Sequence, residues 1–131
     1  ISLGLVGSEM CIRDSPSPEL KLNVDRTQIE QILINLLKNA REACSRKSDK
    51  KIQVKARKLS AGNTTLTISD NGEGILPDVL DKIFVPFFTT KTSGSGIGLS
   101  LCKQIMTLHE GSINVKSEVG KGSSFILTFP K

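Results

Sequence analysis

Three groups of residues in this sequence have types and spacings that could do chemistry together. Asp70 closes the run TLTISD, in which Leu66, Ile68 and Asp70 share one parity of an alternating strand. If the two apolar residues face a core, the carboxylate faces it too, and a carboxylate there needs a partner. Gly72 and Gly74 follow, and without side chains they let a flat ligand approach the backbone. A carboxylate accepts a hydrogen bond from an exocyclic amine. Adenine offers that amine, whereas guanine presents a carbonyl oxygen at the same place. Asn35 and Asn39 stand one helical turn apart, with Glu42 continuing their flank. An amide oxygen is a hard, neutral ligand suited to Mg2+, whose remaining positions are filled by phosphate oxygens and waters. Gly94, Gly96 and Gly98 lead into a helical pattern, and N–H groups at a helix start bind phosphate; Lys91 adds a cation nearby. Taken singly, each has a plainer reading: an Asp that forms a turn before Asn-Gly, a surface pair of Asn, a glycine-rich helix entry. Together they supply an acid for a base, an amide for a metal and a helix start for phosphates.

The elements that must position these groups are legible from periodicity. ELKLNVD, 19–25, alternates Leu20, Leu22 and Val24 as a short strand, and Asp25 or Thr27 can cap the next element. From Gln28 to Cys44 the apolar residues Ile29, Ile32, Leu33, Leu36, Leu37, Ala40 and Ala43 recur at helical steps. KIQVKARKL and TTLTISD read as strands joined through SAGN. PDVLDKIF allows a short helix with Pro77 near its start, 85–96 reads as loop, and Ile97, Leu101, Ile105 and Leu108 mark a second long helix that stops at Gly111. SINVKS and SSFILTF close the chain as a hairpin around EVGKG. This order predicts an α+β fold: a mixed, mostly antiparallel sheet of about five strands with helices on one face.

With 131 residues the chain is sized for one domain. It has no Trp or Tyr to stack on bases, and no reader motif accompanies the basic group Lys47, Lys50, Lys51, Lys55, Arg57 and Lys58, so nucleic acid is not expected as a partner. The net charge of +5 suits an anionic small ligand. Cys11, Cys44 and Cys102 have neither metal-ligand nor redox spacing, which fits reduced thiols and a cytoplasmic domain. No apolar stretch approaches a membrane span, so any membrane contact is expected through segments upstream. The chain begins at Ile1 and is expected to be part of something longer. Residues 1–15 show no sustained period; they are expected to be foreign to a domain of 16–131, as a linker or read-through from cloning or assembly, with a short hydrophobic strand as the alternative.

As a set the motifs resemble the ATP-binding domain shared by histidine kinases, type II topoisomerases, MutL repair proteins and Hsp90 chaperones, the GHKL superfamily with its Bergerat fold. NLLKNA matches the N box, DNGEG the first glycine box, FVPFFTTK the F box and the start of the ATP lid, and GSGIGL the second glycine box; GKGSSF resembles the closing Gly-x-Gly-Ser/Thr element. The resemblance spans about 19–130. It implies a two-layer α/β sandwich that binds ATP and Mg2+. It implies that Asp70 selects adenine, that Asn39 is the Mg2+ ligand, and that Asn35 supports the site. Gly72, Gly74, Ile75, Phe84, Thr90, Lys91, Gly94, Ser95, Gly96, Ile97, Gly98, Leu99 and Ser123 would complete the nucleotide contacts. Residues 85–96 would form a lid over the nucleotide, with Phe84, Phe87 and Phe88 anchoring its base.

The superfamily's self-sufficient ATPases place a water-activating Glu four residues before the metal-binding Asn. Here that position is Asn35, an amide that cannot take a proton. The histidine kinase branch is therefore the expected one, as the catalytic domain of a two-component sensor kinase. The resemblance then implies delivery of the γ-phosphate to a histidine on a separate dimerisation domain, with Asn35, Asn39 and Lys91 in the catalytic set and a response regulator downstream. The rivals are a self-sufficient ATPase and a non-catalytic, nucleotide-gated binding module. Glu42 stands where many such kinases carry a Lys, so Lys91, Arg41 or Lys38 would supply positive charge, Lys91 by preference because it lies in the lid. His109, the single histidine, sits at a helix end outside any His-Glu or His-Asp motif and reads as a packing or capping residue.

Overall fold

The computed structural model describes residues 24–88 and 97–130, together with the backbone of 10–13. In chain order the elements are β1 (Met10–Arg13), α1 (Arg26–Ala43), β2 (Ile52–Lys58), β3 (Thr64–Asp70), α2 (Pro77–Leu80), α3 (Gly98–Leu108), β4 (Ser112–Glu118) and β5 (Gly122–Phe129). The strands form one sheet in the order β1-β2-β3-β5-β4, parallel between β1 and β2 and antiparallel elsewhere. This is the expected α+β, two-layer arrangement. Of the strand expected at 19–25, residues 19–23 lie outside the described residues; Val24 lies in a bend, and Asp25 caps α1 by accepting the Gln28 N–H at 3.1 Å. Among the described residues the strand beside β2 at the sheet edge is β1, whose four residues lie opposite Ile52–Lys55.

The apolar stripe of α1 does what its spacing predicts. Ile29, Ile32, Leu33, Leu36 and Ala40 are buried and meet the inward rows of the sheet. Those rows follow from register: Val54, Ile68, Phe125 and Val115 stand side by side across β2, β3, β5 and β4, and Ala56, Leu66, Leu127 and Ile113 form the next. Cys102, Ile105 and Met106 of α3 close the core from the second helix. Cys44 and Cys102 are buried free thiols, as small core residues of this kind usually are.

The two long helices are tied at the end of the core by His109. Its Nδ1 lies 2.9 Å from the Ile105 carbonyl oxygen, and the Asp25 N–H points at Nε2 from 3.0 Å. A carbonyl only accepts and a backbone N–H only donates, so Nδ1 carries the hydrogen and Nε2 the lone pair. The ring thereby joins the C-cap of α3 to the N-cap of α1.

Candidate nucleotide site

Beyond its apolar rows the helix-facing side of the sheet ends in a polar one. Register sets Ile52, Asp70, Ser123 and Ser117 side by side across β2, β3, β5 and β4. Asp70 keeps the parity of Leu66 and Ile68, which are 3% and 1% exposed, and is itself half-buried. Its Oδ1 accepts the Gly72 N–H at 2.9 Å. Burial nevertheless raises its pKa, against the lowering effect of the Gly72 N–H and the backbone of Ser123. The site therefore holds a carboxylate with unspent acceptor capacity in a partly dehydrated setting, where one more donor is worth most.

The loop after Asp70 is clamped from two sides. Glu73 N–H donates to the Ala43 carbonyl at the end of α1 at 3.2 Å, and Gly120 N–H donates to the Glu73 carbonyl at 2.9 Å. The two glycines owe their identity to this clamp. A Cβ on Gly72 would lie 2.5 Å from the Ala43 carbonyl oxygen, and one on Gly74, whose φ is +77°, would lie 2.4 Å from that of Glu118. Sequence reading assigned the missing side chains to ligand access; in the structure protein backbone fills both spaces.

Asn35 of α1 faces the start of α3. Asn35 Oδ1 lies 3.2 Å from where a Cβ on Gly98 would sit. An Asn35 side-chain hydrogen bond also reaches Cys102, whose thiol burial pushes up to about 11. Gly98 is thus the residue that lets α3 begin against α1. Asn39 is half-buried one turn further on, and Ala43, one turn beyond Asn39, touches Gly72. The helix that carries the amides therefore ends on the loop that follows the carboxylate. Cys44, next along, donates its thiol to Asn71 Oδ1 at 3.5 Å; burial raises its pKa, and the nearby Asp70 charge adds to that.

Gly98 and Leu99 open α3, Ile97 is its N-cap, and Ser123 lies in the Asp70 row. Ile75 ends the clamped loop, donating its N–H to Ser117 Oγ at 2.7 Å. The ring of Phe84 lies 5.8 Å from Lys103 Nζ, beside a groove of about 390 Å³ lined also by Pro86, Ser100, Gln104 and Leu108. Those α3 residues are on the side opposite Cys102 and Ile105, and the half-buried Phe84 packs against the core while also lining a groove along α3. Phe87, expected beside it as an anchor, is 78% exposed. Thr90, Lys91, Gly94, Ser95 and Gly96 lie outside the described residues. Sequence reading missed Ser117; the only available signal was its parity with the inward residues Ile113 and Val115.

Residues 24–131 match the family model described as histidine kinase-, DNA gyrase B-, and HSP90-like ATPase. The chain belongs to this family. Its relatives there include sensor kinases. The chain is 38% identical over 123 residues to the sensor histidine kinase ZraS of Salmonella typhimurium, covering 93% of this chain and 26% of that one. It is 42% identical over 109 residues to the histidine-protein kinase AtoS of Escherichia coli, covering 83% and 18%. It therefore spans about a quarter or less of these relatives. Among solved structures, the catalytic domain of histidine kinase ThkA superposes with a TM-score of 0.81 at 35% identity, covering 94% of this chain and 78% of that one. Full-length ShkA in complex with AMPPNP gives 0.81 at 27% identity, covering 95% and 26%.

The family implies a nucleotide and a divalent cation, and the residues present fit both by chemistry. Asp70 offers a half-buried acceptor beside backbone donors, and Asn39 carries a neutral amide one helical turn from the clamped loop. Among the described residues no group of three or more His, Cys, Asp and Glu could hold a metal. A Mg2+ ion shared with phosphates needs no such cage.

Proposed function

We propose that this chain is the ATP-binding catalytic domain of a two-component sensor histidine kinase. The observation that carries the reading is the polar end row of the sheet: a half-buried carboxylate at Asp70, aligned with Ser123 and adjoining the end of the helix that bears Asn35 and Asn39. Asp70 accepts the adenine amine and disfavours guanine. Asn39 is the residue that would hold Mg2+. The start of α3 at Gly98, with Gly94, Gly96, Ser95, Ile97 and Leu99, receives the phosphates, and Thr90 and Lys91 belong to the lid. Ile75 and Ser123 line the base side. ATP, when bound, supplies the γ-phosphoryl group.

These residues contribute orientation and charge neutralisation, which is most of what phosphoryl transfer asks of a protein. Asn35 braces α1 against α3 and has no proton to exchange, so the site is not built to activate water. The phosphate acceptor is a histidine on a dimerisation domain of the same full-length protein, and a response regulator is the downstream partner. ThkA has been solved in complex with a response regulator, at 31% identity and a TM-score of 0.74 to this chain.

Calorimetric titration of the chain with ATP and GTP, with and without Mg2+, tests the reading. Asp70→Asn should weaken ATP binding by roughly tenfold or more, the order expected for a hydrogen bond to a charged group, and narrow the preference over GTP. Asn39→Ala should remove the Mg2+ dependence. Wild-type affinity in both variants would exclude this site.

A further inference from the structure

The geometry points to Ser117 as a positioning residue of the adenine pocket: its hydroxyl fixes the loop of the first glycine box against the strand that flanks Asp70. This rests on the reading of Asp70 as the base-selecting group. Ser117 Oγ accepts the Ile75 N–H at 2.7 Å, lies 3.1 Å from the Gly122 carbonyl oxygen and 2.8 Å from Ser123 Oγ. A hydroxyl has one proton and two lone pairs. With the Ile75 N–H on one lone pair, its proton goes to Gly122 or to Ser123, and either choice leaves the oxygen bridging the loop and β5.

Both anchor points matter to Asp70. Gly122, at φ +132°, is pressed so closely on Asp70 that a Cβ there would overlap the Asp70 carbonyl oxygen. Ile75 closes the loop whose Gly72 N–H supports the Asp70 carboxylate at 2.9 Å. Ser117 therefore pins the loop behind the carboxylate to the strand beside it, from the same row of the sheet. The backbone pair Gly120 N–H to Glu73 carbonyl, 2.9 Å, holds the loop's middle; Ser117 holds its far end. The Ser117 side chain is not required to touch a nucleotide, so its loss should act through Gly72 and Asp70.

The test measures ATP and GTP affinities of the chain carrying Ser117→Ala, Ser117→Cys, Ser117→Thr or Asp70→Asn, each with its melting curve. Losing one hydrogen-bonded bridge should weaken ATP by about tenfold and lower the ATP-over-GTP ratio, while Ser117→Thr, which keeps the hydroxyl, restores both. A purely structural role would move melting without moving that ratio. If Asp70→Asn weakens ATP but Ser117→Ala and Ser117→Cys keep wild-type affinity and ratio, the positioning role is overturned and the adenine reading stands. If Asp70→Asn binds like wild type, both are overturned. If neither Ser117→Ala nor Ser117→Cys gives a cooperative melt, the hydroxyl belongs to folding, and the positioning role is again overturned.

Discussion

The carboxyl of Asp70 has backbone donors at Gly72 and Ser123 and is still held above the usual carboxylate range, because burial outweighs them. That has a signed consequence for stability. A raised carboxyl pKa means that the folded state keeps its proton to higher pH than the unfolded chain does. The protein is then most favoured, on this group's account, below the ordinary carboxylate range, and loses stability as pH rises through the interval up to the folded value. Asp70→Asn removes the titration and leaves an acceptor for the Gly72 N–H. We therefore expect the nucleotide-free Asn variant to melt at or above wild type at pH 7, with the gap closing as pH drops into the carboxylate range. Melting temperatures of both chains across that range check this. A wild type that gains on the variant toward neutral pH would mean that the donors win over burial. The direction is the one expected of a binding group kept for function at some expense of stability. The buried thiols give a second expectation at this scale. Cys102, pushed up to about 11, and Cys44, also raised, should resist thiol reagents in the folded chain and react on unfolding, as counted by absorbance.

At the scale of elements, the first glycine box is a joint between the end of α1 and the turn between β4 and β5. Gly74→Ala would place a Cβ against the Glu118 carbonyl at a positive φ, and Gly72→Ala would press on the Ala43 carbonyl. Each should cost about 1–3 kcal/mol, read as a lowered denaturant midpoint at unchanged slope. Wild-type midpoints would show that the joint yields freely. Much of this joint could be read in the sequence, but its reason could not. The strand parity of Leu66, Ile68 and Asp70, the stripe of α1 and the entry to α3 depend on neighbours along the chain, and periodicity reports those faithfully. The contacts that make Gly72 and Gly74 necessary come from Ala43 and Glu118, on other elements, and no local pattern reveals them. Ser117 escaped for the same reason: its partner Ile75 lies 42 positions away. Phe84 entered the nucleotide set through the motif it sits in; its packing against the core and beside Lys103 comes from other elements.

For the molecule as a whole, the decisive question is where a transferred phosphate could go. His109 is the chain's single histidine, and both its ring nitrogens are engaged, Nδ1 on the Ile105 carbonyl and Nε2 under the Asp25 N–H. Phosphorylating either nitrogen would break the tie between α1 and α3, so this residue serves the fold and is a poor acceptor. The position that would activate water is Asn35, committed to α3 through Gly98 and Cys102. A site that binds ATP while lacking both an internal acceptor and a base should store the nucleotide and wait for a partner. The chain alone, given ATP labelled on the γ-phosphate and Mg2+, should therefore acquire no acid-labile phosphate and release free phosphate slowly. On the proposed reading, adding a histidine kinase dimerisation segment with its acceptor histidine should produce acid-labile label on that segment. Asn39→Ala should suppress the transfer, and His109→Gln, if it folds, should leave its chemistry intact while lowering the melting temperature. Rapid phosphate release by the isolated chain, lost in Asn35→Ala, would instead place it with the self-sufficient ATPases of its family. Label retained on His109 would overturn the proposed division of labour between this domain and a dimerisation domain.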